Sequence, residues 1–341
     1  MMAKSFCKRW LVTGVLVACM ISFMCANPGA AQARNLKIRL AHPMAPGNNV
    51  TLGYEKFKEV LEDISGGKIQ VQLFPNCMMG SDRDGMEATQ RGSIEMASSS
   101  SPNMANFSKK FLIFDLPYIT DMKYQKNLYQ ALDEGDLGKY FDNLAEEINL
   151  RPVMFSEYGY RNFVTSNQPI TKAADLKKLK VRTTASPVEV ETAKALGMNP
   201  TPIAWAEVYT AMQQGTVDGE GNTFSLLCDA KHDEVIKYAV DSHHNYSMHM
   251  LMCNNKWWKG LKPQQQKWIK QAAHEALVYQ RGITIKLEAQ ATQKMIDEGI
   301  QVHKLNNAEL AEFKTMTRPV WEIFRKDIPA ELFDMISATQ K

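Results

Sequence analysis

The segments that decide the fold are Lys177-Lys178-Leu179-Lys180-Val181-Arg182, Trp205-Ala206-Glu207-Val208-Tyr209 and Val217-Asp218-Gly219-Glu220-Gly221-Asn222. The first is an apolar strand that ends in an arginine, the second an aromatic-rich turn, and the third a glycine-rich loop that ends in an asparagine. A guanidinium at a strand end suits a carboxylate, because its planar N–H donors match two carboxylate oxygens. No nucleophile is paired with a base here, so these segments indicate capture of a small organic acid rather than its conversion.

Hydrophobic periodicity on either side of these segments predicts an α/β chain. Residues 36–40 and 69–73 alternate as strands, and a helical pattern between them stops at Gly66-Gly67. Strand–helix–strand with a short return is a right-handed parallel unit. A second helical pattern runs from Pro263 to about Ile296, longer than ordinary globular helices. We expect two α/β domains joined by several crossings, with a ligand cleft at the carboxyl ends of parallel strands.

Two local signals add detail to this architecture. Tyr158-Gly159-Tyr160-Arg161 follows a strand predicted at residues 152–155 and is a plausible first crossing between domains. Ser186-Pro187-Val188-Glu189 is a helix start, with serine as N-cap, proline at the first helical position and glutamate as the capping-box partner.

Several ordered motifs resemble those of the solute-binding proteins of TRAP (tripartite ATP-independent periplasmic) transporters. Residues 175–182, Ala195-Leu196-Gly197 and the run from Glu207-Val208-Tyr209 to Asn222 match the family's "DLKGLKxR" strand and its "EVYxALQxGxVDGxEN" segment. Upstream, Gly66-Gly67-Lys68-Ile69 and the run from Phe74 to Arg83 resemble "GGKIxVxxxPxxxLGxDR". The similarity extends from about Leu36 to about Ala276. It implies a two-domain periplasmic binding protein fold, in which a long helix packs along both domains.

The resemblance also implies domain boundaries. Domain I is expected to comprise residues 34–157 and about 246–287. Domain II is expected to comprise residues 158–245 and about 288–341.

The first 33 residues have the layout of a secretory signal peptide. Lys4, Lys8 and Arg9 precede an apolar run from Trp10 to Cys25, and Ala31-Gln32-Ala33 is a small-x-small cleavage site. An uncleaved anchor and a lipoprotein signal ending at Cys19 are the alternatives. Cleavage takes the formal net charge from +3 to zero, which leaves no basic excess for nucleic acid. We therefore expect a periplasmic protein.

Arg182 is the first candidate for ligand binding, because the resemblance places the family's carboxylate-binding arginine at this position. Arg161 is expected to be a second cationic contact or to orient Arg182; a hinge-region ion pair is the alternative. Asn222 offers both a donor and an acceptor to an acid with an α-substituent, although turns are the commonest use of asparagine. This chain has Gly221 where the family usually has glutamate.

Aromatic and small residues complete the expected site. Trp205 stands where the family has an aromatic residue that packs on the ligand, with a core tryptophan as the alternative, and Tyr158 offers further aromatic surface. Relatives that bind sialic acid have a glutamate near Ser100 and a glutamine near Met248, so an acid smaller or flatter than a polyhydroxylated sugar acid is expected here. The ligand classes left open are 2-oxo, 2-hydroxy and aromatic acids.

No metal or cofactor is expected. His243 and His244 are adjacent, so their side chains point in different directions in a strand or a helix, and no carboxylate motif accompanies them or His249.

The sequence is compatible with three functions. The first is a solute-binding protein that delivers an organic acid to the membrane subunits of a TRAP transporter. The second is a sensory ligand-binding module of the same fold. The third is a secreted hydrolase or lyase in which Glu157 and Asp218 pair as acid and base, but the sequence has none of the Gly-x-Ser-x-Gly, His-Glu-x-x-His or phosphate-loop motifs.

Overall fold

The protein, a computed structural model, is described over residues 35–341, so the predicted signal peptide lies outside the described residues. Within that range nine strands form one mixed sheet in the order β2-β1-β3-β8-β4-β7-β5-β6, and β9 pairs with β8. The strands are β1 (Leu36–Ala41), β2 (Ile69–Phe74), β3 (Met96–Ser100), β4 (Leu150–Thr165), β5 (Lys180–Thr183), β6 (Asn199–Pro202), β7 (Gly219–Asn222), β8 (Tyr238–Asn254) and β9 (Gln301–Lys304).

Two long antiparallel strands, β4 and β8, run through the whole sheet. Leu150 lies opposite Asn254 and Thr165 lies opposite Tyr238. Strand β3 pairs with the end of β8, whereas β7 pairs with the end of β4 and β9 with the start of β8. The first half of the sheet is defined as β1–β3 with residues 150–157 and 249–254. The second half is defined as β5–β7 and β9 with residues 161–165 and 238–245.

Strand directions make the carboxyl ends of the two halves face each other. Strands β1 and β3 are parallel to each other, and β3 is antiparallel to β8. Strands β5 and β7 are parallel, and β7 and β8 are both antiparallel to β4, so β5 and β7 run in the direction of β8. Because β8 runs from the second half into the first, β5 and β7 end facing the first half and β1 and β3 end facing the second. Ligands of such sheets bind outside the carboxyl ends of the strands, which directs attention to the space between the halves.

Thirteen α-helices cover the sheet in the described part of the chain. They are α1 (Asn49–Ile64), α2 (Asp82–Arg91), α3 (Ser101–Met104), α4 (Gln125–Asp133), α5 (Asp136–Glu147), α6 (Pro187–Ala195), α7 (Val208–Gln213), α8 (Phe224–Asp229), α9 (Asn255–Gly260), α10 (Pro263–Asp297), α11 (Asn307–Thr317), α12 (Pro319–Phe324) and α13 (Ala330–Ala338).

The 35-residue helix α10 packs along both halves of the sheet, as predicted. It contacts α1 and β4 beside the first half, and α8 and β9 beside the second. Its side chain Gln280 accepts a hydrogen bond from the Glu157 N–H (2.9 Å) and donates one to the Glu157 carbonyl (2.6 Å). These two bonds fix the middle of the helix to β4 at the boundary between the halves.

Residues 37–341 form one compact unit with several apolar clusters. The largest cluster includes Phe111, Phe141 and Met250 together with Leu332 and Ile336 of α13. Smaller clusters pack beside the second half. The predicted α/β architecture is confirmed, while the predicted domain boundaries stay a prediction.

No helix in residues 35–341 is both long enough and apolar enough to cross a bilayer. Cys77, Cys228 and Cys253 are all free thiols.

Candidate functional site

Arg182 lies near the carboxyl end of β5 and is buried, with 5% of its surface exposed. Its Nε–H donates a hydrogen bond to the carbonyl of Ile203 (3.0 Å). This bond does not use the two terminal nitrogens of the guanidinium. Among the described residues no carboxylate lies within 4.0 Å of its guanidinium. Burial lowers the pKa of Arg182, and the nearby Arg161 adds to this effect, while Glu220 opposes it. The arrangement is a buried cation without a close anionic partner.

Arg161 lies on β4 and already has a protein partner. Its Nε–H donates to the Gly221 carbonyl (3.0 Å), and its Nη1 donates to Glu189 Oε1 (2.6 Å). Burial lowers the pKa of this guanidinium, but Glu189, followed by Tyr158, outweighs that effect, so the net pKa is raised. Arg161 is thus charged and held in place by the ion pair with Glu189.

A chain of hydrogen bonds connects two more candidates, Tyr158 and Asn222, with the buried carboxylate of Glu220. Tyr158 donates its hydroxyl to Asn222 Oδ1 (3.1 Å), and Asn222 Nδ2 donates to Glu220 Oε2 (3.1 Å). Glu220 Oε1 is hydrogen-bonded to His232 Nδ1. Burial would raise the pKa of Glu220, but His232 and then Arg182 keep it below its usual range. The Asn222 amide therefore retains one N–H and one lone pair for a further partner.

Trp205 lies next to both His232 and Arg182. Its ring stacks on the His232 ring at 4.7 Å between centroids. The Arg182 guanidinium lies 5.7 Å from the Trp205 ring, within the range of cation–π attraction. The side chain is only partly buried, so it borders the space next to Arg182.

Ser100 lies on the opposite side of the site, at the carboxyl end of β3. Its hydroxyl is 3.4 Å from Asp82 Oδ2, which also accepts hydrogen bonds from Ser99 Oγ (3.1 Å) and Asn103 Nδ2 (2.6 Å). Across the sheet Ser100 is opposite His249. The His249 ring packs on the Tyr158 ring at 5.1 Å, which links this side to Asn222 and the arginines.

We call Asp82, Ser100, Asn103, His42 and His249 the distal pole. His42 follows β1, is 3% exposed, and packs edge-on against the Tyr54 ring. Burial, followed by the neighbouring His249, lowers the pKa of His42 to about 3. Burial lowers the pKa of His249 to about 3 as well. Both rings are therefore neutral near pH 7.

A small cavity of about 20 Å³ lies beside both guanidinium groups. Asp115 Oδ1, Thr183 Oγ1 and Thr192 Oγ1 belong to residues that line it and have no hydrogen-bond partner among the described residues. A space of roughly 10–15 Å³ holds one water molecule. The cavity therefore matches one water molecule and is too small for an organic acid.

The profile of the bacterial extracellular solute-binding proteins, family 7, matches residues 40–327 of this chain. The chain belongs to this family. The C4-dicarboxylate-binding periplasmic protein DctP of Rhodobacter capsulatus is 30% identical over 333 residues, covering 96% of this chain and 97% of that protein. This membership confirms the resemblance to TRAP solute-binding proteins, which bind substrates and are not enzymes.

Solved structures of TRAP and sugar acid binding proteins have the same fold. A TRAP solute-binding protein from Shewanella oneidensis with bound succinate has a TM-score of 0.84 and 25% identity, covering 90% of this chain and 99% of that one. A sugar acid binding protein from Advenella mimigardefordensis in complex with galactonate has a TM-score of 0.85 and 25% identity, with the same coverage of both chains. Relatives of this family 7 chain thus bind both dicarboxylates and sugar acids.

The six predicted site residues fall into two groups in this family 7 protein. Contacts join Arg182, Arg161, Asn222, Trp205 and Tyr158 into one cluster, whereas Ser100 belongs to the distal pole. Sequence reasoning missed the acids Glu220 and Asp82. Glu220 lies inside the quoted glycine-rich segment and Asp82 inside the Gly80-Ser81-Asp82-Arg83 motif, so both were within segments that carried the family resemblance.

The carboxylates considered as an acid–base pair, Glu157 and Asp218, have separate surroundings. Glu157 accepts hydrogen bonds from Tyr129, Tyr246 and Gln125. Asp218 accepts from the Lys180 N–H and from Asn167. No contact joins the two carboxylates within residues 35–341, so they do not form a catalytic pair in this structure.

The burial of His42 predicts a pH-dependent contribution to stability. The pKa of His42 is about 3 in the folded protein and 6.5 for an ordinary histidine. Between these values the unfolded chain binds a proton that the folded chain does not, so the free energy of unfolding falls as the pH falls. We expect His42→Asn to reduce this slope by about 1.4 kcal/mol per pH unit between about pH 6 and 4. Urea unfolding at several pH values measures the slope, and an unchanged slope would contradict the burial of the ring.

Proposed function

We propose that this protein captures a small organic acid through an arginine–carboxylate clamp and delivers it to a TRAP-type transporter. The observation that carries the proposal is Arg182, a buried guanidinium with no carboxylate within ion-pair distance among the described residues. A buried charge is costly unless it is paired. A ligand carboxylate supplies the missing anion, and it can receive two parallel N–H donors from the same guanidinium.

The neighbours of Arg182 support this assignment. Arg161 adds a second positive charge, but Glu189 compensates it. Asn222 has one donor and one acceptor left for an α-substituent of the acid. Two solved proteins of the same fold hold succinate and galactonate, and both compounds carry the carboxylate that this clamp requires.

Binding requires the two halves to separate and close again. Arg182, Arg161 and Asn222 are buried, so a ligand cannot reach them from solvent in this conformation. Several hydrogen bonds connect the sides of the site, among them Asn48 Nδ2 to Asp229 (3.0 Å), Ser186 Oγ to Asp115 (2.6 Å) and Asn245 Nδ2 to the Asp115 carbonyl (2.7 Å). A hinge motion that breaks and reforms them admits the acid. We further propose that the signal peptide is removed, that the mature protein acts in the periplasm, and that membrane subunits of the transporter receive the closed, loaded form.

A thermal-shift screen of organic acids, followed by calorimetry, tests the proposal. An acid present at 100 times its Kd adds about 2.7 kcal/mol to the free energy of unfolding. Neutral sugars and amines of similar size serve as controls and should give no shift. The acid should be recovered chemically unchanged after incubation. Preference for neutral compounds, or conversion of the acid, would contradict the proposal.

Trp205 gives an optical test of the binding position. Its ring lies next to Arg182 and is partly exposed, so ligand binding should change its fluorescence. We expect a saturable change in the native protein that disappears in Trp205→Phe, although the variant still binds ligand by calorimetry. A change that persists in Trp205→Phe would place the ligand near another tryptophan.

A further inference from the structure

Glu220 is a buried carboxylate that lies among three of the candidate ligand-binding residues. It belongs to β7, and 0% of its surface is exposed. Its Oε2 accepts a hydrogen bond from Asn222 Nδ2 (3.1 Å), and its Oε1 is hydrogen-bonded to His232 Nδ1. Burial lowers the pKa of Arg182, and Glu220 is the group that opposes this effect most strongly. One carboxylate thus contacts Asn222, acts on the charge of Arg182 and, through His232, reaches Trp205.

The negative charge of Glu220 fixes the orientation of the Asn222 amide. An amide has an oxygen that accepts hydrogen bonds and an NH2 group that donates them, whereas an ionised carboxylate only accepts. Asn222 therefore turns its Nδ2 toward Glu220, and its Oδ1 accepts from the Tyr158 hydroxyl (3.1 Å). The N–H and the lone pair of the amide that are left for a ligand are thereby held in one orientation.

The same carboxylate holds the ring on which Trp205 rests. His232 is 2% exposed, and the bond between its Nδ1 and Glu220 fixes the plane of the imidazole. The Trp205 ring stacks on this plane, with 4.7 Å between the centroids and 25° between the rings. The indole that borders the space beside Arg182 therefore depends for its position on a histidine that Glu220 holds.

We propose that Glu220 is a positioning residue: without contacting the ligand, it holds Asn222 and, through His232, Trp205 in the places where they meet the organic acid. The inference rests on the function proposed above and adds a residue to it. Neighbouring residues of a strand point to opposite faces, so Glu220 does not replace the glutamate that the family usually has at position 221. Because Asn222 is placed to bind an α-substituent, we expect Glu220 to control the discrimination between acids with and without that substituent.

Two substitutions separate the hydrogen bonds of Glu220 from its charge. Glu220→Gln removes the charge but keeps an oxygen that accepts from Asn222, and its NH2 group can donate to His232 Nδ1 in the other tautomer of the imidazole. Glu220→Met has neither the charge nor a strong acceptor, so both hydrogen bonds are lost. If Glu220 acted through its charge alone, both variants would bind acids equally and more tightly than native protein, because like charges repel. A positioning role predicts instead that Glu220→Met is impaired and that Glu220→Gln is largely rescued.

Pairs of acids that differ only in an α-hydroxyl group measure the position of Asn222. Malate and succinate form one pair, and erythronate and 3,4-dihydroxybutyrate form the other. In the pair that binds, we expect calorimetry to show that native protein prefers the hydroxylated acid by at least about tenfold, and that Glu220→Met lowers this preference by about tenfold. Glu220→Gln should retain most of the preference. A loss of folding stability weakens both members of a pair equally, so the ratio of the two Kd values reports position and not stability.

Acrylamide quenching of Trp205 fluorescence is a second measurement, which needs no ligand. The signal of Trp205 is the difference between each protein and the same protein carrying Trp205→Phe. Glu220→Met should increase the quenching, because the plane of His232 is no longer fixed, whereas Glu220→Gln should stay near the native value. Glu207→Met is the matched control, because Glu207 is exposed and lies two residues from Trp205. It should change neither the quenching nor the preference for the hydroxylated acid.

His232→Leu tests the connection to Trp205 separately, should Glu220→Met fold poorly. It removes the ring on which Trp205 stacks but keeps the bond between Asn222 and Glu220, so the quenching should rise while the preference stays native. Native quenching in His232→Leu would contradict this connection. Equal preference and equal quenching in native protein, Glu220→Gln and Glu220→Met would overturn the inference but leave the arginine clamp intact. If no acid of the two pairs or of the wider screen binds, the proposed function itself fails.

Discussion

Replacing Arg182 with alanine is expected to weaken binding of the organic acid by at least about 30-fold. Removing one partner of a buried charge pair costs about 2–5 kcal/mol, and about 1.4 kcal/mol corresponds to a tenfold change in Kd. The ligand-free protein should still fold, because no described carboxylate forms an ion pair with Arg182. Glu220 keeps its hydrogen bonds with His232 and Asn222 after the substitution. Calorimetric titration with the best acid from the screen measures the effect.

Two further variants show whether the effect belongs to the clamp. Arg182→Lys keeps the charge but cannot donate two parallel hydrogen bonds, so its Kd should lie between those of the native protein and Arg182→Ala. Arg325→Ala is the control, because Arg325 is an exposed arginine paired with Glu322 (2.9 Å) on the surface. It should bind the acid as the native protein does. If Arg182→Ala retained the native Kd, the carboxylate would have to bind elsewhere.

Local patterns in the sequence were sufficient for several elements of the fold. The strand ending in Arg182 is present as β5, and helix α2 ends at Arg91 with Gly92 in the left-handed region (φ 81°). Most side chains are strained in that region, whereas glycine is not, so the end of this helix could be predicted from one residue. The long helix also follows its apolar stripe, and it continues through Gly282 to Asp297.

The two longest strands could not be predicted in this way. The sequence predicted a strand only at residues 152–155, whereas β4 continues past Tyr158, the predicted crossing, to Thr165. Its interior contains Ser156 and Glu157, which disturb the alternation that marks a strand. Pairing with β8, almost a hundred residues later, and hydrogen bonds from Tyr129 and Tyr246 to Glu157 compensate for these polar residues. Strand formation depends here on partners that are remote in sequence.

The same limitation applies to the site. Glu189 was predicted to cap its own helix, but it binds Arg161 (2.6 Å) and the Thr184 N–H (2.8 Å) instead, so the predicted capping box is wrong. The predicted serine N-cap is confirmed, since Ser186 accepts from the Val188 N–H (3.3 Å). The structure also explains why glycine stands at position 221, where the family usually has glutamate. A Cβ atom at this position would lie 3.2 Å from the His244 ring, which is stacked on Phe163.

Removing the Glu189 carboxylate is expected to destabilise the ligand-free protein by about 3–5 kcal/mol. Glu189→Ala leaves the buried guanidinium of Arg161 without its ion-pair partner, and an uncompensated buried charge has a cost of this size. The Thr184 N–H loses its acceptor as well. Urea unfolding at neutral pH, without ligand, measures the change. Glu189→Gln keeps acceptor capacity but not the charge, so it should be less destabilising than Glu189→Ala.

Glu191→Ala is the matched control for this prediction. Glu191 lies two residues further along α6 and pairs with Lys194 (2.7 Å) on the exposed surface, where such a pair contributes about 0.3–0.5 kcal/mol.

Asp115 is the residue that can reduce the loss of stability in Glu189→Ala. Burial and then Glu189 raise the pKa of Asp115 well above its usual range, so removing Glu189 allows Asp115 to ionise and partly neutralise Arg161. The double variant Asp115→Asn/Glu189→Ala should therefore be less stable than the sum of the two single changes predicts. Equal losses in Glu189→Ala and Glu191→Ala would mean that Arg161 does not depend on a buried counter-ion.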